Sequence, residues 1–219
     1  MTNETLPLLR KAAEWRLLSL LFERPKQGWY DEIAGLARET EAHGARSTKS
    51  LRRAASLAQD AHEEPYIALF GPGGFASPRE VAYAGMQDPG HLLSSLMLFY
   101  NSFAYEPSSE DPSDHFAVET GFVGYLYLKE AYALLAGNGE GAQVANDARE
   151  QFIASHYARL VRGIAEKKDA FPQYLQEALN VALEHVKHIS AETVPAAEFD
   201  PLATGCPMVQ NDDERDFRF

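Results

Sequence analysis

Residues 106–127 read EPSSEDPSDHFAVETGFVGYLY. A polar, proline-broken approach leads into a long run with helical spacing of apolar residues. Asp111 has the side chain of a helix N-cap, and Pro112 suits a first helical position, where its missing N–H would be unpaired anyway. Asp114 then falls in the first turn, where the helix dipole favours a carboxylate. The expectation is a helix over 111–136 with Phe116, Phe122, Val123, Leu126 and Leu134 turned inward. Glu110, Asp114 and His115 would gather at its mouth, beside backbone N–H groups that have no intrahelical partner.

The flanking chain repeats the same periodicity. Residues 5–22 place Leu8, Leu9, Ala12, Ala13, Arg16, Leu17, Leu20 and Leu21 at spacings of three and four, and Pro25 ends the run. Helices are expected over 29–43, 47–62 and 63–70, the last being EEPYIALF with Tyr66, Leu69 and Phe70. The stretch 90–105 is apolar nearly all round and is expected to be a central, buried helix. GNGEG at 137–141 breaks the chain before a long helix over 142–168, whose stripe includes Phe152, Ile153, His156, Leu160 and Ile164. A last helix is expected over 171–190. No stretch alternates as a strand would. The fold class is therefore all-α: one globular domain over 1–190 with about eight to ten helices, and a Pro-, Asp- and Glu-rich C-terminal tail over 191–219 that is expected to be extended or mobile.

The 219 residues carry 32 acidic and 20 basic side chains, a net charge of −12. That balance argues against nucleic acid, whose phosphates demand cations, and favours a basic partner. The single cysteine, Cys206, leaves no intramolecular disulfide and no cysteine-cluster zinc site. No apolar run reaches the roughly 18–20 residues of a membrane span, and the first fifteen residues lack a basic-then-apolar export signal. A cytoplasmic setting fits.

Several chemistries compete for the same residues. The glycine-rich loop GPGGFASPRE, 71–80, invites a phosphate cradle, but no Lys-Ser/Thr follows it, no strand precedes it, and its prolines remove N–H donors. A turn that re-aims the chain explains it better, with Ser77, Pro78 and Glu80 beginning another helical turn. Asp114-His115 could activate a nucleophile, yet none stands in a suitable context. A metal-dependent hydrolase would use His115, Glu119 and His156; the first two share a helix face, but the Glu-x-x-His pairs of helical metal sites are missing. A peptide site uses the residues differently: Glu110 and Asp114 would pair with arginine, His115 would titrate near neutral pH, and Tyr66, Leu69, Phe70 and Phe75 would line an apolar groove. The same pattern also fits a plain helix cap beside a core loop.

EDPSDH, 110–115, resembles the E-x-P-x-D-H signature of the TorD/DmsD/NarJ-like redox-enzyme maturation chaperones. YIALF, 66–70, resembles their Y-x-x-L-F element; SPRE, 77–80, resembles the proline-rich loop after it; Phe152 and His156 resemble their F-x-x-H helix. The resemblance implies a non-catalytic, cytoplasmic, client-specific chaperone with no cofactor of its own. It would bind the twin-arginine signal peptide, the body, or both, of a molybdenum oxidoreductase catalytic subunit, assist cofactor insertion and delay export. Weak contact with the molybdopterin cofactor or a guanine nucleotide stays open. Carried over residue by residue, the client contacts would be Tyr66, Leu69, Phe70, Glu110, Pro112, Asp114 and His115, with Ser77, Pro78 and Glu80 beside them.

Overall fold

The computed structural model describes residues 5–41 and 48–189. The expected tail, Cys206 within it, and the expected ends of the second and last helices at His43 and Ser190 lie outside the described residues. Among the described residues nine α segments follow in order: α1 (Thr5–Leu21), α2 (Trp29–Glu41), α3 (Thr48–Leu57), α4 (Glu63–Phe70), α5 (Pro89–Ser102), α6 (Phe116–Leu135), α7 (Gly139–Phe152), α8 (Ala158–Ala165) and α9 (Gln173–Val186). Among the described residues there is no strand, only one isolated antiparallel bridge. None of the described helices is long and apolar enough to cross a membrane.

The helix at the centre is α6, not α5 as its composition suggested. Every residue from Phe116 to Leu126 is buried, whereas α5 leaves Met97 and Leu98 about two-fifths exposed. Being apolar all round does not by itself bury a helix; its neighbours must also fit close. Helix α6 carries Gly121 and Gly124 where α1 crosses it. A Cβ on Gly124 would stand 3.1 Å from the Trp15 Cβ and 3.3 Å from the Ala12 carbonyl oxygen, and one on Gly121 would stand 2.6 Å from the Tyr105 hydroxyl. The absent side chains let two backbones approach, and Ser19 of α1 donates to the Ala117 carbonyl across the seam at 2.8 Å. Trp15, outside the expected stripe of α1, is 1% exposed.

The expected stripes of the other helices face inward. Leu51, Ala54, Ala55 and Ala58 are buried, as are Tyr174, Leu175, Ala178, Leu179 and Ala182 of α9. Aromatic rings fill the space around α6: Phe122 meets Tyr100 and Phe152 at 4.8 Å between centroids, and Phe22 stacks on Phe116 at 3.9 Å.

The expected helix over 142–168 differs in two ways. It begins earlier, at Gly139, because the Asn138 side chain accepts from the Gly141 N–H at 2.8 Å and caps it. It is also interrupted by a π-helical turn over Ile153–Tyr157 that joins α7 to α8. The turn widens the inward arc, so that Phe152, Ile153, His156 and Tyr157 are all buried. The last helix begins at Gln173 rather than 171, because Pro172 is held extended.

Candidate functional site

The helix expected to start at Asp111 starts at Phe116. Its N-cap is His115, whose Nδ1 accepts from the Ala117 N–H at 3.2 Å. Residues 112–115 instead form a turn, closed by His115 N–H donating to the Pro112 carbonyl at 2.9 Å, and Asp111 precedes it. The reason lies upstream, at residues 78–80. The loop after α4 runs antiparallel to this segment, with Arg79 bridged to His115. Phe116 N–H donates to the Pro78 carbonyl at 2.8 Å, and Glu80 N–H to the Asp114 carbonyl at 2.9 Å. The first orphan N–H of α6 is thus used to tie down another loop. Glu80–Tyr83 then makes a 3-10 turn, the short helical start expected there.

This pairing draws the Asp114 carboxylate inward. Asp114 is fully buried; its Oδ1 accepts from Arg79 Nε at 2.8 Å and its Oδ2 from the Val81 N–H at 3.2 Å. It is not an open anionic handle at a helix mouth. Burial also changes His115. Since Nδ1 accepts the capping N–H, the proton sits on Nε2, which faces the Tyr66 hydroxyl at 3.4 Å; that hydroxyl donates to the Phe22 carbonyl at 2.9 Å. Burial is the largest influence on the His115 pKa and lowers it, against the opposing pull of Asp111 and Asp114. The imidazole is therefore neutral near pH 7 rather than titrating there.

Glu80 is fully buried as well. Its Oε2 faces His156 Nδ1 at 3.0 Å, and its Oε1 accepts from Arg159 at 2.9 Å. The other ring nitrogen of His156 meets the Ser95 hydroxyl at 3.0 Å. Arg159 also reaches the Gln87 side chain at 3.0 Å. Loop 77–83 is therefore clamped on one side by Asp114 and on the other by α8. Tyr83 secures the same loop: its hydroxyl donates to the Ser77 carbonyl at 2.7 Å, and its ring lies where a Cβ on Gly163 would stand. Arg79, Ser95 and Arg159 were missed in the sequence. Only Arg159 had a local signal, three residues after His156 on the same helical face.

Tyr66, Leu69 and Phe70 point into the core rather than lining an open groove. All three are under a tenth exposed, and Phe70 packs edge-on against Phe171 and Tyr66. The outward residues of this region are Ile67 and Phe75, 42% and 55% exposed, and the acids Glu63 and Glu64. Phe75 carries the Lys167 ammonium 5.3 Å above its ring. Of the other expected contacts, Glu110 and Pro112 are exposed and Ser77 is part-buried, while Pro78 is buried; Asp111 beside them is part-buried. The structure thus brings 66–70, 77–80 and 110–115 together through Tyr66–His115 and the 79–115 bridge. It divides them into a buried frame and an exposed acidic and apolar fringe.

The three residues of a hydrolase do not form a metal site. His115 and His156 have both ring nitrogens engaged as described, and no group of three His, Cys, Asp or Glu among the described residues could hold a metal ion. Glu119, on the first turn of α6, is fully buried with neither carboxylate oxygen hydrogen-bonded. Burial, reinforced by Glu80 and Asp114, pushes its pKa well above the ordinary carboxylate range and favours the protonated form. A protonated acid is a poor cation ligand.

A family model described as nitrate reductase delta subunit matches residues 33–166. The chain belongs to this family. Its NarJ/TorD-type members are redox-enzyme maturation chaperones, and the delta-subunit match makes this chain a molybdoenzyme maturation chaperone whose partner is a molybdoenzyme catalytic subunit. No curated protein and no solved structure matches the chain. The matched span encloses every element of the frame: α4, the 77–83 loop, the 110–115 turn and the π turn with His156. Helices α1 and α9 lie outside it, although both contribute to the core.

Proposed function

We propose that this delta-subunit-family chaperone holds a basic-then-apolar segment of its client, the twin-arginine signal peptide of the catalytic subunit, on the fringe formed by the outer face of α4, the 71–75 loop and the 106–112 turn. It is non-catalytic, acts in the cytoplasm, holds no cofactor of its own and delays export until the molybdenum cofactor is in place. The observation that carries the reading is the set of exposed acids and apolar side chains on the segments that this frame ties together: Glu63, Glu64, Glu106 and Glu110, with Ile67 and Phe75. Carboxylates offer arginine directional, charge-assisted hydrogen bonds, and the apolar side chains suit the stretch that follows. Asp114, His115, Tyr66 and Glu80 serve this site from behind, by fixing the loops that present it. One helical domain over 1–190 followed by a C-terminal tail over 191–219 completes the proposal.

The test is binding of a twin-arginine signal peptide to the full chain at rising salt. Exposed charges are screened over about 8 Å at physiological ionic strength, so affinity is expected to fall steadily with added salt. Glu110→Gln is expected to weaken binding several-fold and flatten the salt dependence without lowering thermal stability. Salt-independent binding, or full affinity in a variant lacking Glu63, Glu64 and Glu110 together, would refute the acidic fringe as the contact.

A further inference from the structure

A cavity of about 150 Å³ opens between the α3–α4 connection and the start of α9, lined by Asp60, His62, Pro65, Tyr66, Pro172 and Tyr174 among others. Drug-sized and cofactor sites run to roughly 300–1,000 Å³, so this one admits a single side chain, not a nucleotide or a helix. Its lining is lopsided. Tyr66 and Tyr174 supply two phenol rings, and both are held in place: the Tyr66 hydroxyl by the Phe22 carbonyl, the Tyr174 ring edge-on against Trp29 at 6.1 Å. Asp60 is the one carboxylate of the lining, it is exposed, and no lysine or arginine lines the cavity. Just outside, Glu63 and Glu64 open α4; Glu63 is paired with Arg24.

That combination selects for a guanidinium. Its flat face stacks on aromatic rings, which an ammonium does not do, and its edge presents two parallel N–H groups to one carboxylate. Leu57, Pro65 and Pro172 complete an apolar sleeve for the methylene stem. The cavity is continuous with the frame described above, since Tyr66 is both its wall and the neighbour of His115. We propose that this cavity is a subsite for one arginine side chain of the client's basic segment, with Asp60 as its counter-ion and Tyr66 and Tyr174 as its stacking surface. The inference rests on the reading that the client segment is basic, and adds where one arginine goes.

The experiment is calorimetric titration of the full chain with a peptide bearing two consecutive arginines before an apolar run. The same peptide is then used with each arginine in turn replaced by citrulline, which keeps the shape and loses the charge, or by lysine. Asp60→Asn, at an exposed position, provides the protein side of a double-mutant cycle. Citrulline at one of the two positions and Asp60→Asn are each expected to weaken binding roughly tenfold, the loss of one charge-assisted hydrogen bond. Combined, they should weaken it little further, because both remove the same contact. Lysine at that position should also lose several-fold. Losses that multiply, or no loss from Asp60→Asn while Glu110→Gln still weakens the peptide, would overturn the subsite and leave the acidic fringe standing. No binding of the unmodified peptide at low salt would overturn both.

Discussion

At the scale of single residues, the buried ionisable groups give opposite pH signatures. Glu119 holds its proton in the folded state and loses it near the ordinary value of 4.5 when unfolded. The folded state therefore binds more protons above pH 4.5, and folding stability falls as pH rises, by about 1.4 kcal/mol per unit until the folded carboxyl itself ionises. Glu119→Gln removes this dependence. Its stability relative to the parent, measured by urea unfolding, should improve as pH rises above 4.5; a difference that does not change with pH would mean that the carboxyl is ionised in the fold. His185 runs the other way. It stacks on Trp15 at 4.5 Å, and burial, helped by the Lys11 cation, lowers its pKa to about 4. The unfolded chain then binds more protons between pH 6.5 and 4, so stability is lost as pH falls through that window, again by about 1.4 kcal/mol per unit. His185→Phe keeps a ring on Trp15 and should flatten the acid limb of the stability profile; an unchanged limb would assign it to other groups. Asp114→Ala belongs at this scale as well. It leaves Arg79 Nε and the Val81 N–H without their acceptor and is expected to cost about 1–3 kcal/mol, so its loss of client binding alone could not mark Asp114 as a contact.

At the scale of elements, the positions that matter most are those where a side chain is missing. Gly163 gives Tyr83 room to lie against α8, and Tyr83 holds the 77–83 loop at Ser77. Gly163→Ala should displace the ring, speed hydrogen exchange at residues 79–83 and leave α1 and α6 unaffected. Protection unchanged at 79–83 would show that the buried Glu80 contacts hold the loop alone. Gly124→Ala should act differently: the added methyl meets backbone as well as Trp15, and overpacking of that kind costs about 1–3 kcal/mol globally. The elements themselves were largely legible in the sequence, because a helix is written in spacings of three and four. Residues 63–70 were placed to the residue, and the buried stripes of α3, α8 and α9 were placed correctly. What could not be read was any arrangement set by distant residues. The start of α6 moved from Asp111 to Phe116 because Pro78 and Glu80 pair with the intervening stretch, some 35 residues away in the chain. Arg159 meets Glu80 across 79 residues, and no local pattern announces that.

At the scale of the whole molecule, the motifs read as client contacts have a double part. Tyr66, Glu80, Asp114 and His115 are buried where the chain's loops cross, and they fix the geometry of a surface made by their exposed neighbours. The sequence reading named buried frame and exposed fringe together because the two are adjacent along the chain: Glu63 and Ile67 flank Tyr66, and Glu110 precedes His115 by five residues. It could not separate the two roles, since burial depends on which loop covers which. The net charge of −12 favours a basic partner, and in the proposed reading the fringe is where that partner is held. The most direct measurement is hydrogen–deuterium exchange of the full chain with and without its client's twin-arginine peptide. Protection confined to residues 57–75, 106–116 and 172–174 is the predicted result; protection on the outer face of α7, or none at saturating peptide, would contradict it.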